Sequence, residues 1–259
     1  MLTKRLIACF DIISGRVTKA IKFQDNIDVA PAEELAAFMY EEQIDELVFY
    51  DITASSEKRK IDIETVKKVA CRVFIPFTVG GGIRDLNDMY ETLKAGAEKI
   101  SVDSMAVRNP QIIADGAKAF GSQCIVLSTQ AKKTGKTPSG YEVFIDGART
   151  ATGKDVIEWI KCGQGLGAGE VCLNSIDNDG TLSGYDLELM KLAEATVSVP
   201  LIASGGAGKP EHLKTLFAET QAQAAIISSM LYSPRMERNY SVSELKKYLL
   251  ENNINTRPA

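Results

Sequence analysis

Short apolar runs alternate with amphipathic stretches along the whole chain. Runs such as Glu46-Leu47-Val48-Phe49-Tyr50-Asp51 are too short for helices and rich in strand formers, whereas Pro110–Phe120 carries apolar residues at helical spacing. The pattern predicts strands over Arg5–Asp11, Glu46–Asp51, Phe74–Val79, Lys99–Val102, Gln123–Ser128, Glu170–Asn174, Val199–Ala203 and Ala224–Ile227. Helices are predicted over Pro31–Glu42, Ile61–Cys71, Arg84–Ala95, Pro110–Phe120, Lys154–Gly165, Tyr185–Glu194, Pro210–Ala218 and Ser241–Glu251. Pro31, Pro110 and Pro210 stand at or near helix starts, where a missing N–H leaves no bond unmade. Eight strand–helix units in 259 residues match an α/β (β/α)8 barrel, although a doubly wound open sheet uses the same alternation. Two long loops, 12–30 and 130–153, follow the first and fifth strands.

An internal repeat favours the closed barrel. Val79-Gly80-Gly81-Gly82 is echoed by Ala203-Ser204-Gly205-Gly206, with an offset of 124 residues between Pro76 and Pro200 and between Gly82 and Gly206. Further on, Ile100-Ser101-Val102-Asp103-Ser104-Met105 is echoed by Ile226-Ile227-Ser228-Ser229-Met230, pairing Ser104 with Ser229 at an offset of 125. Such self-similarity indicates two similar half-barrels in one domain, 1–259. An isolated glycine pair is normally a turn. Here glycines end strands at helix starts, with Ser104, Ser228 and Ser229 one unit later, an arrangement whose N–H groups and hydroxyls suit phosphate. Two such sites suggest a ligand with a phosphate at each end.

Composition removes several function classes. The chain is 45% hydrophobic and 25% charged with a net charge of −4, so it carries no electrostatic footprint for nucleic acid or an anionic membrane. No apolar stretch reaches the ~18 residues that a membrane span needs. Met1–Arg5 leads straight into a strand without a signal peptide, which reads as cytoplasmic. Cys9, Cys71, Cys124, Cys162 and Cys172 show no CxxC spacing and read as reduced core thiols. His212 is the single histidine, so multi-histidine metal sites are excluded, and neither metal nor cofactor is expected. His212 and Trp159 read as packing or surface residues.

Candidate chemistry lies at the strand ends. Asp11, Asp51, Asp177 and Asp179 each follow or end a strand; singly such residues cap helices, but together they favour a polar catalytic face. Symmetry places Gln130 opposite Asp11, and an amide cannot accept and return a proton. Lys19, in the first long loop, is placed to close on a ligand. At the strand starts, Arg5, Glu46, Lys99 and Glu170 form either a stabilising ring or a gate on an axial passage.

These residues together resemble the HisF family, the cyclase subunit of imidazole glycerol phosphate synthase. The likeness is carried by 4–11, 45–55, Pro76-Phe77-Thr78-Val79-Gly80-Gly81-Gly82-Ile83, Ser175-Ile176-Asp177-Asn178-Asp179-Gly180-Thr181 and Ala203–Lys209. It implies a (β/α)8 barrel with a HisH-like glutaminase at its N-terminal face. Ammonia passes through the barrel and condenses with a bis-phosphorylated ribulosyl aminoimidazole carboxamide, giving imidazole glycerol phosphate and AICAR. Arg5, Glu46, Lys99 and Glu170 match the channel gate. Gly82, Asp103 and Ser104 match one phosphate site, with Asp-Ser where the family usually has Asn-Thr; Gly180, Gly206, Ser228 and Ser229 match the other. Asp11 matches one catalytic acid/base and Lys19 the loop lysine, but the second catalytic Asp falls on Gln130. The stretch 19–31 also lacks the family's loop glycines and arginine.

Two readings follow. One is the cyclase. The other is a paralogue without cyclase activity that conducts ammonia to an enzyme amidinating a surface-polysaccharide sugar; Gln130 favours the conduit, and Asp11 and 203–209 favour ligand binding. A phosphate-binding barrel without an ammonia role would leave the charged strand starts without a function.

Overall fold

The computed structural model describes residues 3–21, 24–54, 59–234 and 236–258. Ser55, within one of the runs that carry the resemblance, lies outside the described residues. The first half runs β1 (Arg5–Ile13), β2 (Arg16–Ile21), β3 (Gln24–Pro31), α1 (Ala32–Glu41), β4 (Glu46–Asp51), α2 (Ile63–Ala70), β5 (Phe77–Gly80), α3 (Leu86–Lys94), β6 (Lys99–Val102), α4 (Ser104–Arg108) and α5 (Gln111–Phe120). The second half repeats that order, as β7 (Ile125–Lys133), β8 (Tyr141–Ile145), β9 (Thr150–Asp155), α6 (Val156–Gly165), β10 (Glu170–Ser175), α7 (Leu187–Glu194), β11 (Leu201–Ser204), α8 (Pro210–Glu219), β12 (Ala224–Ile226), α9 (Ser228–Tyr232) and α10 (Val242–Glu251). A 3₁₀ turn, Ser122–Cys124, joins the halves.

Eight strands pair in parallel in the order β1-β4-β5-β6-β7-β10-β11-β12, and β12 returns to β1 through Arg5↔Ala224. The sheet is therefore a closed barrel and not the open alternative. Both long loops prove to be antiparallel hairpins, β2–β3 continuing β1 and β8–β9 continuing β7. β9 reads exposed except at Thr152 and Asp155 and so resembles a polar loop, whereas β8 alternates along Tyr141-Glu142-Val143-Phe144-Ile145 and buries Tyr141, Val143 and Ile145 in the main core, a strand signal that the loop expectation passed over. Pro76 and Pro200 set the late starts of β5 and β11. Each lacks an N–H, and its carbonyl accepts the neighbouring strand's Leu47 or Val171 N–H. Phe74, expected in the strand, is 80% exposed.

In the closed sheet, alternate residues point to opposite faces. Leu6, Ala8 and Phe10 of β1, with Leu47 and Phe49 of β4, pack against the helices in the main core. Ile7, Cys9, Val48, Val126, Cys172, Ile202, Ala224 and Ile226 form a second, smaller cluster inside the barrel. Of the cysteines expected in the core, only Cys9 and Cys172 are buried; Cys71 and Cys162 are exposed because they end or line helix faces that touch solvent, and Cys124 is half-buried. Trp159 is buried in the core.

One buried ion pair fastens α10 to the barrel floor. Lys246, 1% exposed, donates to Asp45 Oδ1 at 2.8 Å and the Gln43 carbonyl at 2.6 Å, and Asp45 Oδ2 accepts the Leu6 N–H at 2.8 Å. Removing one partner of such a pair leaves an uncompensated buried charge. Lys246→Met should cost about 3 kcal/mol in urea unfolding; a loss below about 1 kcal/mol, the range of an exposed pair, would show that the ion pair does not anchor the helix.

Candidate active site

The inward rows of the barrel carry three different chemistries from bottom to top. At the bottom, the first residues of β1, β4, β6 and β10 close a ring of alternating charge. Arg5 Nη1 donates to Glu46 Oε1, and to Glu170 Oε1 at 3.0 Å. Lys99 Nζ donates to Glu170 Oε2 at 2.9 Å and Glu46 Oε2 at 3.4 Å. Burial lowers the affinity of Arg5 for its proton, but the two glutamates outweigh it and hold the guanidinium above its usual range. The sequence-predicted set is thus brought together completely.

Above the ring, the inner cluster of Ile7, Val48, Val126 and Ile202 is apolar. Cys9, Tyr50 and Cys172 follow, and burial keeps all three neutral: the Cys172 thiol is pushed up to about 12, and Cys9 and Tyr50 are raised well above their ordinary values. No fixed charge stands in this stretch among the described side chains of the cluster. A charged species is disfavoured there and a small neutral one is not.

The top opens into a cavity of about 300 Å³. Its two glycine turns are matched in geometry as well as sequence. Gly81 and Gly205 have φ of +88° and +93°, and a Cβ on Gly81 would lie 2.3 Å from the Asp51 carbonyl oxygen. A Cβ on Gly206 would meet the Gly184 carbonyl oxygen at 2.0 Å, so backbone packing alone demands glycine. Ser104 and Ser228 each begin a five-residue helix, α4 and α9. The structural repeat therefore pairs Ser104 with Ser228, not with Ser229. Their hydroxyl oxygens are engaged: Ser104 Oγ accepts the Asp146 N–H at 2.9 Å, and Ser228 Oγ bonds the Cys9 carbonyl and N–H at 2.9 and 3.1 Å. Ser228 Oγ donates its proton to the Cys9 carbonyl, whereas Ser104 only accepts and keeps its O–H for an anion, alongside the backbone N–H of the turns and helix starts.

Two carboxylate groupings line the cavity. Lys19 does not sit in a loop; it stands on β2 and donates to Asp11 Oδ2 at 3.3 Å. Burial lowers its pKa, but Asp11 and its other neighbours outweigh burial and hold the ammonium above its ordinary range. Asp179 is pushed up to about 6 by burial and by Asp11, against Lys19. In the second grouping, Ser204 Oγ donates to Asn174 Oδ1 at 2.8 Å, Asn174 Nδ2 to Gln130 Oε1 at 2.8 Å, and Gln130 Nε2 to Asp103 Oδ2 at 3.2 Å. Asp103 Oδ1 is buried and has no hydrogen-bond partner among the described residues. Burial pushes Asp103 up to about 7; Asp146 raises it further, while Gln130 and Arg108 pull it down. Gln130 pairs with Asn174 in register as Asp11 pairs with Tyr50, which establishes it as the counterpart of Asp11.

Two of the expected carboxylates are committed to other protein groups, Asp51 at the edge of the cavity and Asp177 outside it. Asp51 falls one residue out of step with the inward row of β4; it is 2% exposed and takes two 2.6 Å bonds from Arg59 and the Ala54 N–H. Asp177 is exposed, outside the main cavity, and accepts the Lys133 N–H at 2.8 Å. Gly82, Gly180, Gly206 and Ser229 do line the cavity. Sequence reading missed Asn174 and Ser204, although strand alternation from Glu170 and Ile202 points both inward. It also missed Arg149, a cation of the β8–β9 hairpin on the cavity rim, because the hairpin itself was unseen. His212 accepts the Gly208 N–H through Nδ1 at 3.2 Å, a loop-bracing role.

The model for the histidine biosynthesis protein family matches residues 5–237. A subunit named imidazole glycerol phosphate synthase subunit HisF from Syntrophobacter fumaroxidans is 52% identical over 260 aligned residues, covering 99% of both chains. Proteins of the same name from Desulfosudis oleivorans and Solidesulfovibrio magneticus are 51% and 48% identical, again over 99% of both chains.

The raised Asp103 has a stability consequence with a definite sign. Between about pH 4 and 7 the unfolded side chain ionises while the folded one keeps its proton, so rising pH removes stability until both are ionised. Asp103→Asn should equal wild type near pH 4 and exceed it by on the order of 2 kcal/mol at pH 8. Equal stability at both pH values in denaturant titrations would refute the raised carboxyl.

Proposed function

This chain belongs to the HisF family of histidine biosynthesis proteins, and on that premise we propose that it is the synthase subunit of a glutamine amidotransferase complex. It takes ammonia at the bottom of the barrel and condenses it at the top with a bis-phosphorylated ribulosyl aminoimidazole carboxamide, yielding imidazole glycerol phosphate and AICAR. The observation that carries this reading is the stacking on one axis: a charged ring, an apolar lumen and a cavity with two matched glycine turns. The relatives are named as subunits of that synthase.

The ring is closed by ions, yet the lumen behind it disfavours them. Neutral ammonia fits such a path, because ammonium would be stripped of water among Ile7, Val48 and Ile202. A HisH-like glutaminase is the partner of the N-terminal face. There the Phe74 ring, 80% exposed, stacks edge-on against Tyr40 at 6.0 Å, an apolar feature beside the ring-bearing strand starts. At the other end, the N–H groups behind Gly81–Gly82 and Gly205–Gly206 take the two phosphates, with Lys19 facing the ligand over Asp11. The chain works as one domain in the cytoplasm. No helix among the described residues is long and apolar enough to cross a membrane.

One observation favours a second reading. Gln130 cannot exchange a proton, and loss of one acid/base typically costs ~10²–10⁴ in rate. On that ground the barrel would conduct ammonia onward to an enzyme that amidinates a surface-polysaccharide sugar.

Both readings share the gate, and the gate is directly testable. Lys99 bridges Glu46 and Glu170. In complex with a HisH-type glutaminase, Lys99→Ala should lower glutamine-dependent turnover about tenfold or more while free-ammonium turnover stays near wild type. Equal effects on both nitrogen sources would remove the gate.

A further inference from the structure

Two departures from the family pattern meet in space. Gln130 replaces the second catalytic acid, and Asp103 is a carboxylate where the family usually has Asn; the Gln130 amide donates to that very carboxylate at 3.2 Å. We propose that Asp103 carries the acid/base role left empty at position 130, and that Gln130 is its positioning residue. The inference rests on the cyclase reading given above.

The geometry supports it in three ways. First, Asp103 follows β6 and Gln130 lies on the adjacent β7, with Val102 opposite Leu127 in register, and both side chains line the same cavity. Alternation from Lys99 through Ser101 turns Asp103 inward, so the carboxylate has moved by one strand and stays on the reactive face. Second, the hydrogen bonds run in one direction. Ser204 donates to Asn174, Asn174 to Gln130 and Gln130 to Asp103. Because Gln130 Oε1 already accepts from Asn174, its Nε2 is committed to Asp103, and a carboxylate at 130 would repel one at 103. Third, Oδ1 of Asp103 is buried with no donor among the described residues, so the anion is poorly satisfied. Around it, Asp146 of the β8–β9 turn opposes ionisation and Arg108 of α4 favours it. The group titrates at about 7, where a proton can be both given and recovered. A neutral Asp103 also removes the like-charge repulsion that an ionised one would exert on a neighbouring phosphate.

The step is a balanced proton transfer. Ammonia adds to the substrate carbonyl carbon and one of its protons moves to the oxygen, giving a carbinolamine; the C–O bond then breaks, and the hydroxyl leaves as water with the proton of neutral Asp103. The resulting carboxylate recovers a proton from the nitrogen as the C=N bond forms, so the side chain is unchanged after the cycle.

The test uses the purified chain with the bis-phosphorylated ribulosyl substrate, free ammonia held constant across pH. Asp103→Asn should lose about 10²–10⁴ in kcat with little change in KM, and Asp103→Asn/Gln130→Asp should recover at least about tenfold of that loss. The wild-type kcat should fall above a limb near pH 7, and Gln130→Leu should move that limb upward, because the donor that favours the anion is gone. Wild-type kcat in Asp103→Asn, or a lowered KM with undiminished kcat, would overturn the assignment and leave the cyclase reading standing. A wild-type chain that binds substrate without turnover would overturn both.

Discussion

Two-residue alternation in a closed parallel barrel is the constraint on which everything else here depends. Once β12 pairs with β1, each strand has one inward row, and its members are fixed by parity. From Arg5 that row reads Ile7, Cys9, Asp11; from Glu46 it reads Val48, Tyr50; from Glu170 it reads Cys172, Asn174. Each row begins with an ion, continues through apolar or neutral groups and ends in chemistry. A charged ring, an apolar lumen and a polar cavity thus follow from the same period that folds the sheet. The same parity explains why Asp51 is spent on Arg59, one residue out of step with its row.

The environment separates carboxylates that the sequence lists as equals. Asp11 faces the Lys19 ammonium at 3.3 Å, whereas Asp103 has one amide donor and one buried oxygen. Asp179, beside the same lysine, is held at about 6 by burial. Catalytic division of labour among such groups arises from unequal burial and pairing, not from residue type.

Much of this was legible in the chain. The barrel strands rest on apolar runs buried on both sides, so their pattern is strong, and Glu46–Asp51 and Lys99–Val102 match the structure end to end. The glycine repeat is readable because backbone contacts at Gly81 and Gly206 exclude any side chain. The hairpins β2–β3 and β8–β9 were expected as loops: β9 is mostly exposed and reads as polar, whereas β8 does carry an alternating apolar signal, with Tyr141, Val143 and Ile145 buried, which stood unnoticed inside a polar segment. With them went Arg149 and the strand setting of Lys19. The bond from Gln130 to Asp103 joins residues 27 apart on neighbouring strands, and only the register reveals it.

On the cyclase reading, this barrel performs the family's ring-forming condensation. The most direct measurement is turnover by the isolated chain with the bis-phosphorylated ribulosyl substrate and excess ammonium at alkaline pH, where free ammonia needs no glutaminase. Formation of both imidazole glycerol phosphate and AICAR is the expected result. Tight binding of the substrate with neither product formed would contradict it and identify the barrel as a conduit for ammonia.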